Sequence, residues 1–339
     1  MRHLILAAML AAIGSTGYAT AATKPGKPAA APKAPAVIDV KVRDFSGRFM
    51  DFYEAASRPM PVVPAAPAQP VPADGKQAAP ATPPVPPVPV ETEEERRWRF
   101  YKLGYDFAPL TGNDASRPLL NNAWPRYAAV VPQIKTGFDG VAAELSNLNE
   151  NLGARIGVEK PLALRYITYV GLFDGKVWSE LDGDRTNIYI PLEVSADTRA
   201  LPLARILGRL MLDKTAVFGS QPRNLAELLI AEGVYAHILQ EVAPGKPLES
   251  YLDLSAEQLA KAREARKADL KSIIDKLADG SMVPTYASEQ IALTRYAGWQ
   301  LVESFRKENV SYADLIRQKP TDLVKSCQVE MAKLILRAK

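Results

Sequence analysis

Histidine is nearly absent from this sequence. Among 339 residues only His3 and His237 are histidine. A catalytic zinc site of the usual kind needs two histidines one helical turn apart and a further ligand, which this chain does not have. A Ser-His-Asp triad would have to use His237. No Gly-x-Ser-x-Gly elbow and no Gly-rich phosphate loop occurs. Cysteine is scarcer still. Cys327 stands alone, so no intrachain disulfide can form, and the fold must rest on its core. It falls on an amphipathic stretch, 322–336, and reads as a small buried apolar residue. No long hydrophobic run follows residue 13, which excludes an integral membrane segment from the mature chain. The formal net charge is only +4, with Lys and Arg dispersed among Asp and Glu. No basic stripe with interleaved aromatics is present, so nucleic acid is excluded as an expected partner. The charge is too small and too mixed to argue for a membrane surface.

What the sequence has in plenty is proline. Sixteen of its 28 prolines lie in two stretches, 24–37 and 59–90. Such sequence lacks amide donors and large apolar side chains, and cannot offset the entropy of folding. It is expected to form extended linkers. The second stretch, at about 3.1 Å per residue, has a reach of roughly 100 Å. Ahead of both, Arg2, the apolar run Leu4 to Ile13 and the small residues Ala19-Thr20-Ala21-Ala22 read as a Sec-type signal peptide. Cleavage is expected near Ala21-Ala22, with an uncleaved anchor as the alternative. The expected organisation is a signal over 1–22, a linker over 23–37 and an N-terminal helix over 38–58 docked on the main domain. A Pro-rich insertion over 59–90 and an α+β domain over 91–339 follow. The location implied is periplasmic or secreted.

Periodicity supplies the elements. Phe45, Phe49, Phe52, Tyr53 and Ala56 share one helical face. The acids Glu93, Glu94 and Glu95 suit the positive end of another helix. Residues 126–152 read as a helix, with its start blurred by Pro132, Gly137 and Gly140. The period then shortens to two. Arg165 to Phe173, Val177-Trp178 and Asn187 to Val194 read as strands, separated by Asp174-Gly175 and Asp182-Gly183. Pro191 argues for a sheet edge or a strand end. Helices are expected near 199–213, 225–241, 255–278, 286–307, 312–318 and 322–337, with Asn224 and Glu227 resembling a capping box. The fold class predicted is α+β, helix-dominated, with a small, mostly antiparallel sheet before the central helices.

The groups available for metal or acid–base chemistry are Glu193, Glu227, Glu232, His237 and Glu241. Glu241 shares a face with His237 and is its expected partner. Glu232 lies five residues back, about 140° round the helix, so the two do not clamp one metal ion.

The order of these segments resembles the gluzincin-type zinc-dependent protease family of bacteria. Leu203 to Met211, Leu228-Leu229-Ile230-Ala231-Glu232-Gly233-Val234-Tyr235 and Arg295-Tyr296-Ala297-Gly298-Trp299 are similar to three of its helices. The resemblance covers roughly 38–339 and implies a zincin-like fold. In that family the first of these helices carries His-Glu-x-x-His, and the second a third zinc ligand. Here the first carries Arg205-Ile206-Leu207-Gly208-Arg209. Arg205 and Arg209 stand at the histidine positions with no lone pair to coordinate a metal. Ile206 stands where a general base would be, and Glu232 matches the third ligand. Glu232 is then expected to pair with Arg205 or Arg209.

These readings lead to an exported, non-catalytic pseudo-peptidase with no cofactor and no bound metal. It would be a peptide- or protein-binding module of the cell envelope. The expected docking place is the edge of strand 187–194. The alternatives are a periplasmic hydrolase with a non-standard site around Glu232 and His237, and a structural envelope protein.

Overall fold

The computed structural model describes residues 38–59, 91–112, 114–159, 162–222, 224–264, 267–278 and 288–337. The chain divides into Met1–Ala34 and Pro35–Lys339, and every described residue belongs to the second unit. The signal, the first linker and, but for Pro59, the insertion lie outside the described residues.

The architecture is helix-dominated α+β. Strand β1 (Ile38–Asp44) leads into α1 (Ser46–Ser57). The helix expected over 38–58 therefore occupies only its second part. The alternating Ile38-Asp39-Val40-Lys41-Val42 has the period of a strand, and it pairs with β2 in register from Ile38↔Leu162 to Asp44↔Thr168. After the insertion, α2 (Glu93–Phe100) starts on a capping box between Thr92 and Glu95 and continues as a π-helical turn, Tyr101–Tyr105. Then come the short α3 (Ala108–Thr111), α4 (Ser116–Lys135) and α5 (Asp139–Ile156). The single helix expected over 126–152 is thus two. Gly137, at φ +55°, breaks it, and the carboxylate of Asp44 accepts from the amide of Phe138, 2.9 Å away, at the start of α5.

The sheet is completed by β2 (Leu162–Tyr169), β3 (Trp178–Asp182) and β4 (Arg185–Pro191), in the order β1-β2-β4-β3. It is mixed rather than mostly antiparallel. β1 and β4 both run parallel to β2, and only β3 and β4 form a hairpin. The hairpin turns at Gly183-Asp184, between the paired residues Asp182 and Arg185. The other turn signal, Asp174-Gly175, belongs to a crossing loop. Phe173 and Gly175 both take left-handed conformations there, carrying the chain past the place that β4 later fills. β4 is consequently interior, with Pro191 at its end. The edge on which a peptide was expected to dock is already occupied by β2 and β3.

One aromatic cluster holds the N-terminal elements. Phe49 stacks edge-on against Phe52, Tyr105 and Tyr127, and Phe52 packs against Tyr101 and Trp124. Asp44 accepts from the amides of Ser46 and Phe138 and from the Thr168 hydroxyl. It therefore ties β1, β2 and the starts of α1 and α5 at one point. Burial opposes the Asp44 charge, but these donors outweigh it and hold its carboxyl below the usual range.

The remaining chain is helical: α6 (Ala196–Thr215), α7 (Leu225–Val242), α8 (Leu248–Leu252), α9 (Ala256–Arg263) and α10 (Lys267–Ala278), then α11 (Ser288–Lys307), α12 (Tyr312–Arg317) and α13 (Pro320–Arg337). The Asn224 side chain caps α7 and Ser311 caps α12. The single helix expected over 255–278 is two, α9 and α10. Cys327 is buried in the core.

The tightest joint is between α7 and α11. A methyl group on Gly233 would stand 2.2 Å from the Gly298 carbonyl oxygen, and one on Gly298 would stand 2.4 Å from that of Leu229. Both obstacles are backbone, so neither can swing aside. Gly298→Ala is expected to cost about 1–3 kcal/mol and to lower Tm in thermal denaturation. An unchanged Tm would mean that the two backbones do not meet here.

Candidate functional site

That glycine joint brings together the ends of several helical faces. A cavity of about 130 Å3 opens there, lined from α6, α7, the end of α8 and α11. On α6, Leu203, Ala204, Leu207 and Met211 go into the core. Arg205 and Arg209, one turn apart, share another face and reach the cavity. Glu232 and Tyr235 come from α7. Tyr251, Leu252 and Asp253 come from α8 and its C-terminal cap, where Asp253 takes φ 54°. Arg295 comes from α11.

Glu232 is the hub. Its Oε1 accepts from Nη2 of Arg209 at 2.9 Å, and its Oε2 from Nε of Arg295 at 3.1 Å. Only 14% of its side chain is exposed. Of the two partners the sequence offered for Glu232, Arg209 is the one engaged. Arg205 turns instead to the Ser250 carbonyl and, at 3.4 Å, to Asp253. Arg295 also donates to the Asp253 carbonyl at 2.7 Å and lies 3.4 Å from that residue's carboxylate. Sequence reasoning assigned no role to Arg295, although it stands three residues before Gly298, within a segment already singled out.

The second layer is aromatic. The Arg209 guanidinium lies 4.4 Å from the centre of the Tyr235 ring, and the Tyr235 hydroxyl donates to the Arg205 carbonyl. Burial works against the Arg209 charge, but Glu232 outweighs it and raises its pKa. Burial pushes the Tyr235 phenol up to about 12, against the pull of Arg209 and Arg205. Burial also raises the carboxyl of Asp213, next along α6, and Arg209 opposes the rise.

The other candidates lie apart from this pocket. His237 is buried, stacks on Trp299 at 5.2 Å, and donates through Nε2 to the Trp299 carbonyl at 3.0 Å. Burial lowers its pKa and favours the neutral ring. Its expected partner Glu241 is taken elsewhere. Arg155 and the Tyr312 hydroxyl both donate to it, each at 2.6 Å. Glu227 is buried in the first turn of α7. Ile206 is partly buried against the core. Among the described residues no cluster of His, Cys, Asp and Glu has the arrangement of a metal site, and no helix is long and apolar enough to cross a membrane.

Glu193 sits just past β4, buried, and accepts from the amides of Gly171 at 2.8 Å and Phe173 at 3.3 Å. Tyr101, Tyr105, Tyr127 and Tyr169 are buried in the same region. Burial outweighs the two amide donors and raises its carboxyl from 4.5 to about 7, with Asp174 adding to the rise.

Comparison with protein-family models, with curated proteins and with solved structures finds no match for this chain.

Two outcomes are expected. Glu232→Ala strands two guanidiniums beside each other, and should destabilise the fold by about 1–3 kcal/mol. Denaturant unfolding measures this, and an unchanged midpoint would remove the hub role. The second concerns pH. The folded carboxyl of Glu193 keeps its proton to about pH 7, whereas the unfolded one releases it near 4.5. Between these values the folded state binds more protons, so this group's contribution to stability falls as pH rises. Its full effect is on the order of 3 kcal/mol. Glu193→Gln should therefore raise stability at about pH 8 more than at about pH 5. Equal effects at both would place the carboxylate in a wetter setting.

Proposed function

We propose that this chain is an exported, non-catalytic peptidase-like module of the cell envelope that binds a peptide or protein. One observation carries the reading. Both carboxylate oxygens of Glu232, the residue at the third-ligand position of the resembling family, are held by Arg209 and Arg295. A divalent cation placed there would meet three arginines that cannot deprotonate and cannot coordinate. Ile206 at the general-base position has no group to activate water. The same surroundings that disfavour a metal form an open polar cavity, which supports binding without turnover. The signal-like start, Arg2 followed by Leu4 to Ile13, supports export, and the Pro-rich stretch supports a tether.

The hydrolase reading would need His237 as a base. Its Nε2 proton is given to Trp299 and its ring is stacked on that residue's indole, which favours a packing role.

Zinc content of the purified chain, dialysed without chelator and measured by elemental mass spectrometry, tests the proposal. A content far below one equivalent is expected. A full equivalent that is lost in Glu232→Ala or His237→Ala would overturn it.

A further inference from the structure

We propose that the arginine pocket is a receptor for the terminal carboxylate of a peptide, with Arg205 and Arg209 as its donors and Asp253 as an internal stand-in for the ligand. The inference rests on the peptide-binding reading above and names the group recognised.

The two carboxylates in the pocket are held very differently. Glu232 makes short contacts, is 14% exposed and is fixed from opposite sides by two helices. Asp253 lies 3.4 Å from both Arg205 and Arg295, longer than the usual charge-assisted bond. Its side chain is 64% exposed, on a cap residue at the cavity rim. Asp253 therefore places a carboxylate where the pocket accepts one, without engaging it closely.

The arginines have capacity to spare. Arg209 uses Nη2 on Glu232 and remains 38% exposed. Nε of Arg205 is buried and has no hydrogen-bond partner among the described residues. A carboxylate moving in as Asp253 swings out would meet Nη1 of Arg205, the atom that Asp253 now approaches, while Nη2 stays on the Ser250 carbonyl.

Charge and size narrow the ligand. Among the residues that line the cavity, three guanidiniums face two carboxylates. A carboxylate that takes the place of Asp253 keeps that balance, with one negative charge leaving and one arriving. The cavity volume of about 130 Å3 admits a carboxylate with a small side chain. Tyr251 and Leu252 offer that side chain an apolar wall.

The test is calorimetric titration of the full chain with three probes: a pool of acetylated pentapeptides ending in a free carboxylate, the same pool amidated, and sodium acetate. Inorganic phosphate serves as competitor. The free-acid pool should bind saturably, at least about tenfold tighter than the amidated pool or acetate. Asp253→Asn keeps a residue suited to the left-handed cap and removes the internal competitor, so it should tighten free-acid binding about threefold or more. Arg205→Gln should weaken it about tenfold. Equal binding of acid and amide pools would overturn the carboxylate assignment while leaving peptide binding in place. Acetate binding as tightly as the acid pool would overturn the peptide as source. Displacement by phosphate at low concentration would overturn the carboxylate as the group recognised. Binding by none of the probes would overturn the inference outright, and the zinc content would then judge the parent reading separately.

Discussion

The arrangement of the helical half follows from one close contact, the crossing of α7 and α11 at Gly233 and Gly298. Side chains ordinarily keep helix axes about 8–10 Å apart. Here the surface of each helix at the crossing is bare backbone, and the carbonyls of Gly298 and Leu229 fill the space where methyl groups would stand. That approach decides which neighbours can meet. Glu232 precedes Gly233, and Arg295 lies one turn before Gly298. Their contact at 3.1 Å is a consequence of the joint. With Arg295 on one side, Glu232 needs its other oxygen satisfied, and Arg209 supplies the donor from α6. A close packing of two glycines thus fixes a charge network drawn from three helices.

The other half depends on a different device. The sequence between α1 and α2 is long and rich in proline, and α1 is fixed by β1 directly before it and by what it packs against. Asp44 joins the strand and helix starts by three donors, and the aromatic rings of α1, the π-helical turn and α4 form one apolar mass. Edge-to-face contacts between rings have preferred geometries, so this mass orients α1 as well as anchoring it. Glu193 lies at its margin, where burial already leaves the carboxylate poorly hydrated.

Much of this was legible in the sequence, and the limits have physical causes. Helices with strong apolar periodicity, such as 225–241 and 312–318, lie almost where the pattern places them. The sheet was misread where direction matters. Turn chemistry at Asp174-Gly175 is local, but whether a turn closes a hairpin depends on what later fills the adjacent position, and β4 does so. β1 offers only five alternating residues ahead of the aromatic helix pattern that begins at Phe45, a signal too short to separate strand from helix. For the site, the arginines at 205 and 209 and the glutamate at 232 were visible as a set. Arg295 and Asp253 were not, since their place depends on a helix crossing and on a left-handed cap. Gly233 and Gly298 were both present in the quoted motifs, yet a glycine carries no mark of what it touches. The pairing of His237 with Glu241 failed for a related reason. Four-residue spacing permits a contact, but Arg155 and Tyr312 approach Glu241 from other elements and Trp299 takes the ring.

The charge network also bears on what the pocket can do. A metal site gathers lone pairs around a cation, and its charge balance is carboxylate or thiolate against metal. Here the balance is inverted, with guanidinium groups outnumbering carboxylates and no imidazole among the described residues that line the cavity. Such a constellation disfavours a divalent cation through repulsion before any question of ligand geometry arises. It favours an anion, and guanidinium groups keep that preference at all accessible pH values because they do not titrate. Glu232 is indispensable to the arrangement in a sense opposite to that of a metal ligand. Without it Arg209 and Arg295 would repel one another, and with it they are held from α6 and α11 on its two oxygens. The pocket is therefore suited to an anion rather than to a divalent cation.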